Sequence, residues 1–442
     1  MSKIISSFLL FNLAIAIFCA QMGPKDIKIP SEYVTDKAFI DMIFKDSKSE
    51  TTVYASPSGS GSKCTESAPC TLHHAVENKL KKGVRLYLKG GKYDVKSGVS
   101  INHSGSANLY IVISSAPNEK AIITSSKDGQ VGLFEISGSY IIIENLTFEN
   151  VKAKNVQGIV FYGGGQHHVI IRNNKFHNLR TTKVDEDHGA NGILLMGEKD
   201  SGIKQVIIYG NNMTNNVLGY SEALSVAGNC EEIYVLNNYL KNNTNIGIDF
   251  YGNAKYCKTP KLDQPRNSVA MYNHVEKSVA HYDACAGLYV DGARDIYLAE
   301  NTVTHSQYGI EIGSEEKNDD YPVKNIIVKN NKVKDNTQTG IRVGGYKKDK
   351  TGVVRKCHII DNTVSGSPKG VIISKANNIQ FEGNTFSSIG DYFFDMEFDY
   401  THTKNIGIRH NVFSGSAKFR LYGTLKISLD KFLSIYSSNK KK

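Results

Sequence analysis

The sequence predicts an all-β solenoid, a stack of strand-and-turn coils closed at its N-terminal end by one helix, and three observations predict it. Beyond about residue 130 a strand ending in Asn returns ten times, as in IIIENLTF, VIIRNNKF, IYLAENTV and IIVKNNKV. The repeated residues are Asn145, Asn174, Asn212, Asn238, Asn273, Asn301, Asn331, Asn362, Asn384 and Asn411, at intervals of 22 to 38 residues. Between these strands lies a second short strand that opens on a small residue and alternates, as in GIDFYG, GLYVDG, GIEIGS and GIRVGG. No helix separates the two, and a repeat of this length made of strands and turns buries its apolar faces by stacking. Asn suits the turns because it tolerates the left-handed conformation, and its amide can hydrogen-bond to the equivalent amide one coil away.

Taken in order, residues 4–20 (IISSFLLFNLAIAIFCA) follow Lys3 and end in small residues, the pattern of a signal peptide over residues 1–20. No later stretch reaches the ~20 apolar residues of a transmembrane helix. The expectation is a secreted, extracellular protein without membrane insertion. Residues 21–50 are polar and mixed and read as an N-terminal arm. A strand from Val53 and a Gly/Ser loop then precede a helix with Leu72, Ala75, Val76 and Leu80 on one face. A helix there covers the end of a stack whose backbone groups otherwise lack partners. The solenoid domain spans residues 51–425, with insertions at 181–190 and 254–267 emerging as loops, and residues 426–442 form a basic tail.

The 442 residues, 40% of them hydrophobic, suffice for a large core. Once Cys19 leaves with the signal, six cysteines are left, an even number suited to an oxidising compartment. Cys64 and Cys70 are close enough for a local disulfide, while Cys230, Cys257, Cys285 and Cys357 can pair in several ways. Sequons at Asn102, Asn145, Asn212 and Asn242 fit a secretory route. The net charge of +10 owes part of its excess to Lys3 and to Lys440, Lys441 and Lys442. It is compatible with an acidic polysaccharide, but basic and aromatic residues do not interleave as nucleic-acid binding requires. His167, His168 and His188 lack ligand spacing, so no metal site is expected. The expected state is a monomer with a polysaccharide or oligosaccharide partner.

Residues 50 to about 420, including the opening YASPSGSGS…PCTLHHAV, resemble the right-handed parallel β-helix superfamily that includes pectate lyases. The resemblance implies a single-stranded right-handed parallel β-helix with an N-terminal capping helix. Lyases, hydrolases, epimerases and non-catalytic proteins share that fold, so function has to come from a site.

Aligning the second strands on their small residue places Leu224, Ile248, Leu288, Ile310 and Ile341 inward. Alternation sends Ser225, Asp249, Tyr289, Glu311 and Arg342 outward, with Ala227, Tyr251, Asp291 and Gly313 in a second outward column and Glu315 in a third. Asp291, Glu311 and Glu315 thus meet on one outer face. Strands ~4.8 Å apart allow carboxylates on adjacent coils to reach either the retaining separation of about 5–5.5 Å or the inverting one of about 6.5–9.5 Å. The run GIDFYG…AGLYVDGARDIYLAENTV…YGIEIGSE resembles β-helix glycoside hydrolases. That resemblance implies Asp291 as nucleophile and Glu315 as acid/base, with Glu311 competing for the second role. Arg342, in the Glu311 column, favours an ionised Glu311 and so Glu315 as the acid. Asp249, Tyr289, Tyr251 and Arg342 are the candidate sugar-binding residues.

Two alternatives stay open. A calcium-dependent polysaccharide lyase would use Asp249 and Asp291, with the acidic insertion Asp185-Glu186-Asp187, to hold Ca²⁺ against a uronate. A non-catalytic glycan-binding protein would use the 24 Tyr in place of the absent Trp. The glycoside hydrolase, which needs no cofactor, is the preferred reading.

Overall fold

The computed structural model describes residues 26–345, 351–397 and 402–442. The signal peptide expected over residues 1–20 lies outside them.

Three sheets of 13 strands run the length of the stack, and each coil contributes one strand to each in turn. One coil passes from Ile203–Tyr209 in the first sheet through Asn212–Thr214 in the second to Leu224–Gly228 in the third, then returns to the first at Cys230–Leu236. Pairing is parallel throughout, apart from one antiparallel pair at the C-terminal end of the third sheet. This is the parallel β-helix that the repeats predict. Its interior is one continuous apolar core, with Phe148 stacked on Phe176 at 4.9 Å as a typical rung-to-rung contact.

The N-terminal helix, Leu72–Lys79, buries Leu72, Ala75 and Val76, and Leu80 joins them in the core, as their spacing predicts. Thr71 caps it, its hydroxyl accepting from the His74 N–H at 3.1 Å. The insertions leave the stack as loops, the first over 182–188 within the expected 181–190 and the second over 254–267.

The Asn repeat has two components. Asn174, Asn211, Asn238, Asn273, Asn301, Asn331, Asn362, Asn384, Asn411 and Asn439 form a buried ladder at the corner between the first and second sheets. Along it, the backbone N–H and side-chain Nδ2 of each Asn both donate to the next Oδ1 at 2.9–3.1 Å. The left-handed turn is made by the residue before each Asn up to Asn411, among them Asn173, Gly210, Asn237 and Glu300. Two sequence assignments therefore shift by one. Asn145 is a left-handed turn residue whose ladder slot is held by Leu146, and Asn212 follows the ladder residue Asn211.

Three other expectations change. The arm, read as polar, lies on the outer face of the first sheet, burying Tyr33, Phe39 and Ile43 against Ile142, Ile170, Ile207 and Tyr234. Residues 426–442, read as a tail, close the stack. The helix Leu429–Ile435 lays Phe432 on Phe419 with ring centroids 3.8 Å apart, and Lys440–Lys441 adds a last strand to the second sheet. Cys64 and Cys70 form the expected disulfide, but Cys230, Cys257, Cys285 and Cys357 are unpaired and buried. Cys230 and Cys357 illustrate why, since they stand four strands apart in the first sheet. At ~4.8 Å per strand that is roughly 19 Å, beyond disulfide reach.

Candidate active site

Five consecutive strands of the third sheet bear the predicted columns: β1 (Leu224–Gly228), β2 (Ile248–Tyr251), β3 (Ala286–Asp291), β4 (Tyr308–Gly313) and β5 (Thr339–Val343). Leu224, Ile248, Leu288, Ile310 and Ile341 are in register and belong to the core. Ser225, Asp249, Tyr289, Glu311 and Arg342 are in register on the other face, and Asp291 pairs with Gly313. The small residue at the head of these strands has a packing cause. A Cβ on Gly287 or Gly309 would stand 2.3 Å from a core valine methyl, of Val303 and Val333 respectively.

Alternation places the acids outward, yet they are not solvated. Asp249 and Asp291 are 2% exposed and Glu311 is 1% exposed. Loops rise at both ends of the strands and enclose them. At the leading edge, Tyr282 and Ala284 of the 278–285 loop pack on a cluster that includes Ile246, Tyr289 and Tyr308. At the trailing edge, the 254–267 insertion is tied to the 314–322 loop, where Gln264 Nε2 and Asn253 Nδ2 donate to the Tyr321 carbonyl at 2.9 and 3.0 Å. Asn318 Nδ2 adds a bond to Asn253 Oδ1 at 3.1 Å. The third sheet is thus the floor of a trough.

The floor gathers like charges. Burial, then the charges of Asp291, Glu222, Glu315 and Glu311, push the Asp249 carboxyl well above the usual range. Burial and the same neighbours raise Asp291, opposed by the Glu315 backbone N–H, which donates to Asp291 Oδ1 at 2.8 Å. Asp249 has no such relief at Oδ1, which is buried without a hydrogen-bond partner. Glu222, half-buried beside Ser225, is pushed by burial up to about 7. Glu315 stands exposed at the mouth, though the protein around it and then Asp283 and Glu316 still raise its carboxyl. The buried Arg342 is committed to Glu311, with Nε 3.3 Å from Oε1, and approaches Glu397 at 3.9 Å.

Aromatic rings flank the acids. Tyr251 and Tyr256 meet edge-on at 5.6 Å, their phenols raised by burial and by the nearby carboxylates. Across the trough, Tyr220 and Tyr282 meet edge-on at 5.0 Å. Tyr289 extends its hydroxyl over Gly313, 3.0 Å from where a Cβ would stand.

The structure therefore brings together Asp249, Tyr289, Tyr251, Asp291, Glu311, Glu315 and Arg342. Sequence reasoning missed Glu222. It precedes β1 in irregular backbone, where alternation gives no direction. His167 and His168 sit on the first sheet beneath the arm, where His168 Nε2 lies 3.3 Å from Asp36 Oδ2, and His188 pairs with Asp185 in the 181–190 loop. Among the described residues no group of three or more His, Cys, Asp or Glu side chains is arranged to hold a metal ion.

Residues 269–423 match the family model described as right handed beta helix region. The uncharacterized protein YwoF of Bacillus subtilis (strain 168) is 28% identical over 388 residues, spanning 83% of this chain and 80% of that protein. Among solved structures, the GH136 lacto-N-biosidase of Eubacterium ramulus superposes with a TM-score of 0.53 at 13% identity, over 82% of this chain and 67% of its own. The periplasmic alginate epimerase AlgG gives a TM-score of 0.47 at 10% identity, over 88% of this chain and 82% of its own. The right-handed coil that the resemblance implied is what the family model describes, and the superposition on the biosidase agrees with it.

Proposed function

We propose that this protein is a secreted carbohydrate-active enzyme, a glycoside hydrolase that cleaves a neutral cell-wall glycan with Asp249 as general acid and Asp291 as its partner carboxylate. One observation supports this above others: a buried carboxyl group, Asp249, raised by burial and like charge and lacking a hydrogen-bond partner at Oδ1. Such a group is biased toward its protonated form, the form that can donate. Asp291 takes the complementary role because the Glu315 N–H favours its charged form. The two lie on adjacent strands offset by two residues. That offset corresponds to a Cα separation of about 8 Å, and carboxyl groups held at the same spacing would suit an inverting reaction. Asp249 protonates the departing glycosidic oxygen, while Asp291 takes a proton from the water that attacks the anomeric carbon. Glu315, to which the resemblance assigned the acid role, becomes a rim residue beside Glu222.

The sign of the floor favours a neutral sugar over a uronate. Carboxylates here repel a uronate, and Arg342, the cation beside them, is engaged by Glu311. The tyrosine pairs supply the apolar faces on which sugar rings stack in the absence of Trp.

A panel of neutral and uronic polysaccharides, assayed with and without EDTA, tests the reading. New reducing ends of inverted configuration are expected from a neutral glycan, with kcat about 10²–10⁴-fold lower in Asp249→Asn and Asp291→Asn. Ultraviolet-absorbing unsaturated products from uronates, lost on chelation, would instead establish the calcium-dependent lyase. Binding without turnover would establish the glycan-binding protein.

A further inference from the structure

A cavity of about 1480 Å³ lies away from the carboxylate trough, at the Asn corner between the first and second sheets and beneath the end of the arm. Its walls are columns in register across successive coils. The first sheet contributes Tyr87, Ser114, Glu144, Arg172 and Tyr209, each paired with the next. The second sheet contributes Thr147, Lys175, Asn212 and Tyr239 in one column, with His177, Thr214 and Lys241 beside it. The floor between them is the left-handed turn at Asn145, Asn173 and Gly210. At Gly210 a Cβ would stand 2.6 Å from Asn173 Oδ1, so Gly keeps the floor open.

The arm is anchored along this groove. Arg172 Nη1 donates to the carbonyls of Met42, Ile43 and Lys45 at 2.9–3.1 Å, and Arg172 and Arg85 both bind Glu144. These two arginines are thereby satisfied and hold the wall in shape. Lys175 is different: it is exposed and has no carboxylate partner among the described residues. Five Lys and Arg side chains line the cavity against three carboxylates, the reverse of the trough.

We propose that this groove is a second, non-catalytic binding site for an anionic glycan chain lying along the axis of the stack. The lining is rich in amides, hydroxyls and tyrosine faces, which suit sugar hydroxyls and rings. Its length, six coils or roughly 24 Å at 4.8 Å per rung, calls for an extended polymer rather than a single sugar. Lys241 pairs with Glu276 at 2.9 Å and Lys45 with Asp41 at 3.8 Å, so Lys175 is the lining cation left to select a chain that bears carboxylate or sulfate groups. The site would hold the protein on an acidic matrix while the trough on the third sheet stays free.

The test is titration calorimetry with an oligogalacturonate, on protein from a host that does not glycosylate, because the exposed sequon Asn145 opens into the same groove. Binding is expected, weakening with salt and falling about tenfold in Lys175→Glu. Asp291→Asn should bind as the wild type does, and a neutral cello-oligosaccharide should not compete. Absence of binding, or binding lost in Asp291→Asn and kept in Lys175→Glu, would overturn the proposal. Neither result bears on hydrolysis in the trough, which is read separately from reducing ends.

Discussion

Two buried polar columns run through the same coils and obey opposite rules. At the Asn corner every side chain is 5% exposed or less, and each amide finds its partners in the neighbouring coils. On the third sheet, Asp249, Asp291 and Glu311 are as deeply buried, but each faces a like charge. An amide is donor and acceptor at once, so copies of it stack without conflict. A carboxylate only accepts, so stacked copies must take up protons or recruit a cation. The comparison separates a column that stabilises the coil from one whose like charges oppose its stability.

The sharpest way to break the contrast is Arg342→Met. Arg342 is the cation committed to Glu311, and its loss leaves that carboxylate buried without it. A destabilisation of about 3–5 kcal/mol is expected, read by denaturant unfolding. A neutral result would mean that the trough tolerates uncompensated charge and that like-charge repulsion is not what shapes it. Next comes the ladder. Asn301→Ala removes the acceptor of the Asn273 backbone N–H and Nδ2, as well as the donor to the Ala270 carbonyl. The expected cost is about 2–3 kcal/mol, because buried donors lose their partners. Thermal unfolding of Asn301→Ala beside a variant at an exposed turn residue, Asn330→Ala, tells the ladder apart from the turn.

The sequence legibly encodes both columns but not their surroundings. Strand alternation puts Ser225, Asp249, Tyr289, Glu311 and Arg342 in one line because a parallel register leaves no freedom once the inward residues are identified. It says nothing of the loops at 278–285 and 314–322 that bury this line, since those contacts are made by irregular backbone. Burial is what recasts Asp249, read from the sequence as a sugar ligand, as the proposed proton donor, so the grounds for that proposal were hidden while the position of the residue was plain. The ladder was misread by one at Asn145 and Asn212 for a different reason. The left-handed slot and the ladder slot are adjacent and both accept Asn, as in Asn173-Asn174 and Asn330-Asn331, so composition alone cannot fix the frame. The arm was misjudged because its apolar residues Tyr33, Phe39 and Ile43 are too widely spaced to show a period.

The subtlest expected effect is a gain in stability. The folded state raises the Asp249 carboxyl above its unfolded value of about 4, so between those values the folded protein binds more protons than the unfolded chain. Stability therefore falls as pH rises through that window, with a limiting slope of about 1.4 kcal/mol per pH unit for each proton held. Asp291 and Glu222, the latter raised to about 7, act in the same direction. Asp249→Asn removes one of these protons from the balance and one charge from the trough. The variant should match the wild type near pH 4, exceed it by roughly 1 kcal/mol at pH 7 and be catalytically impaired at both. Melting temperatures from pH 4 to 8 measure this directly. If Asp249→Asn is less stable than the wild type at every pH, Asp249 is a structural ligand like the ladder amides, and the two columns are not opposites.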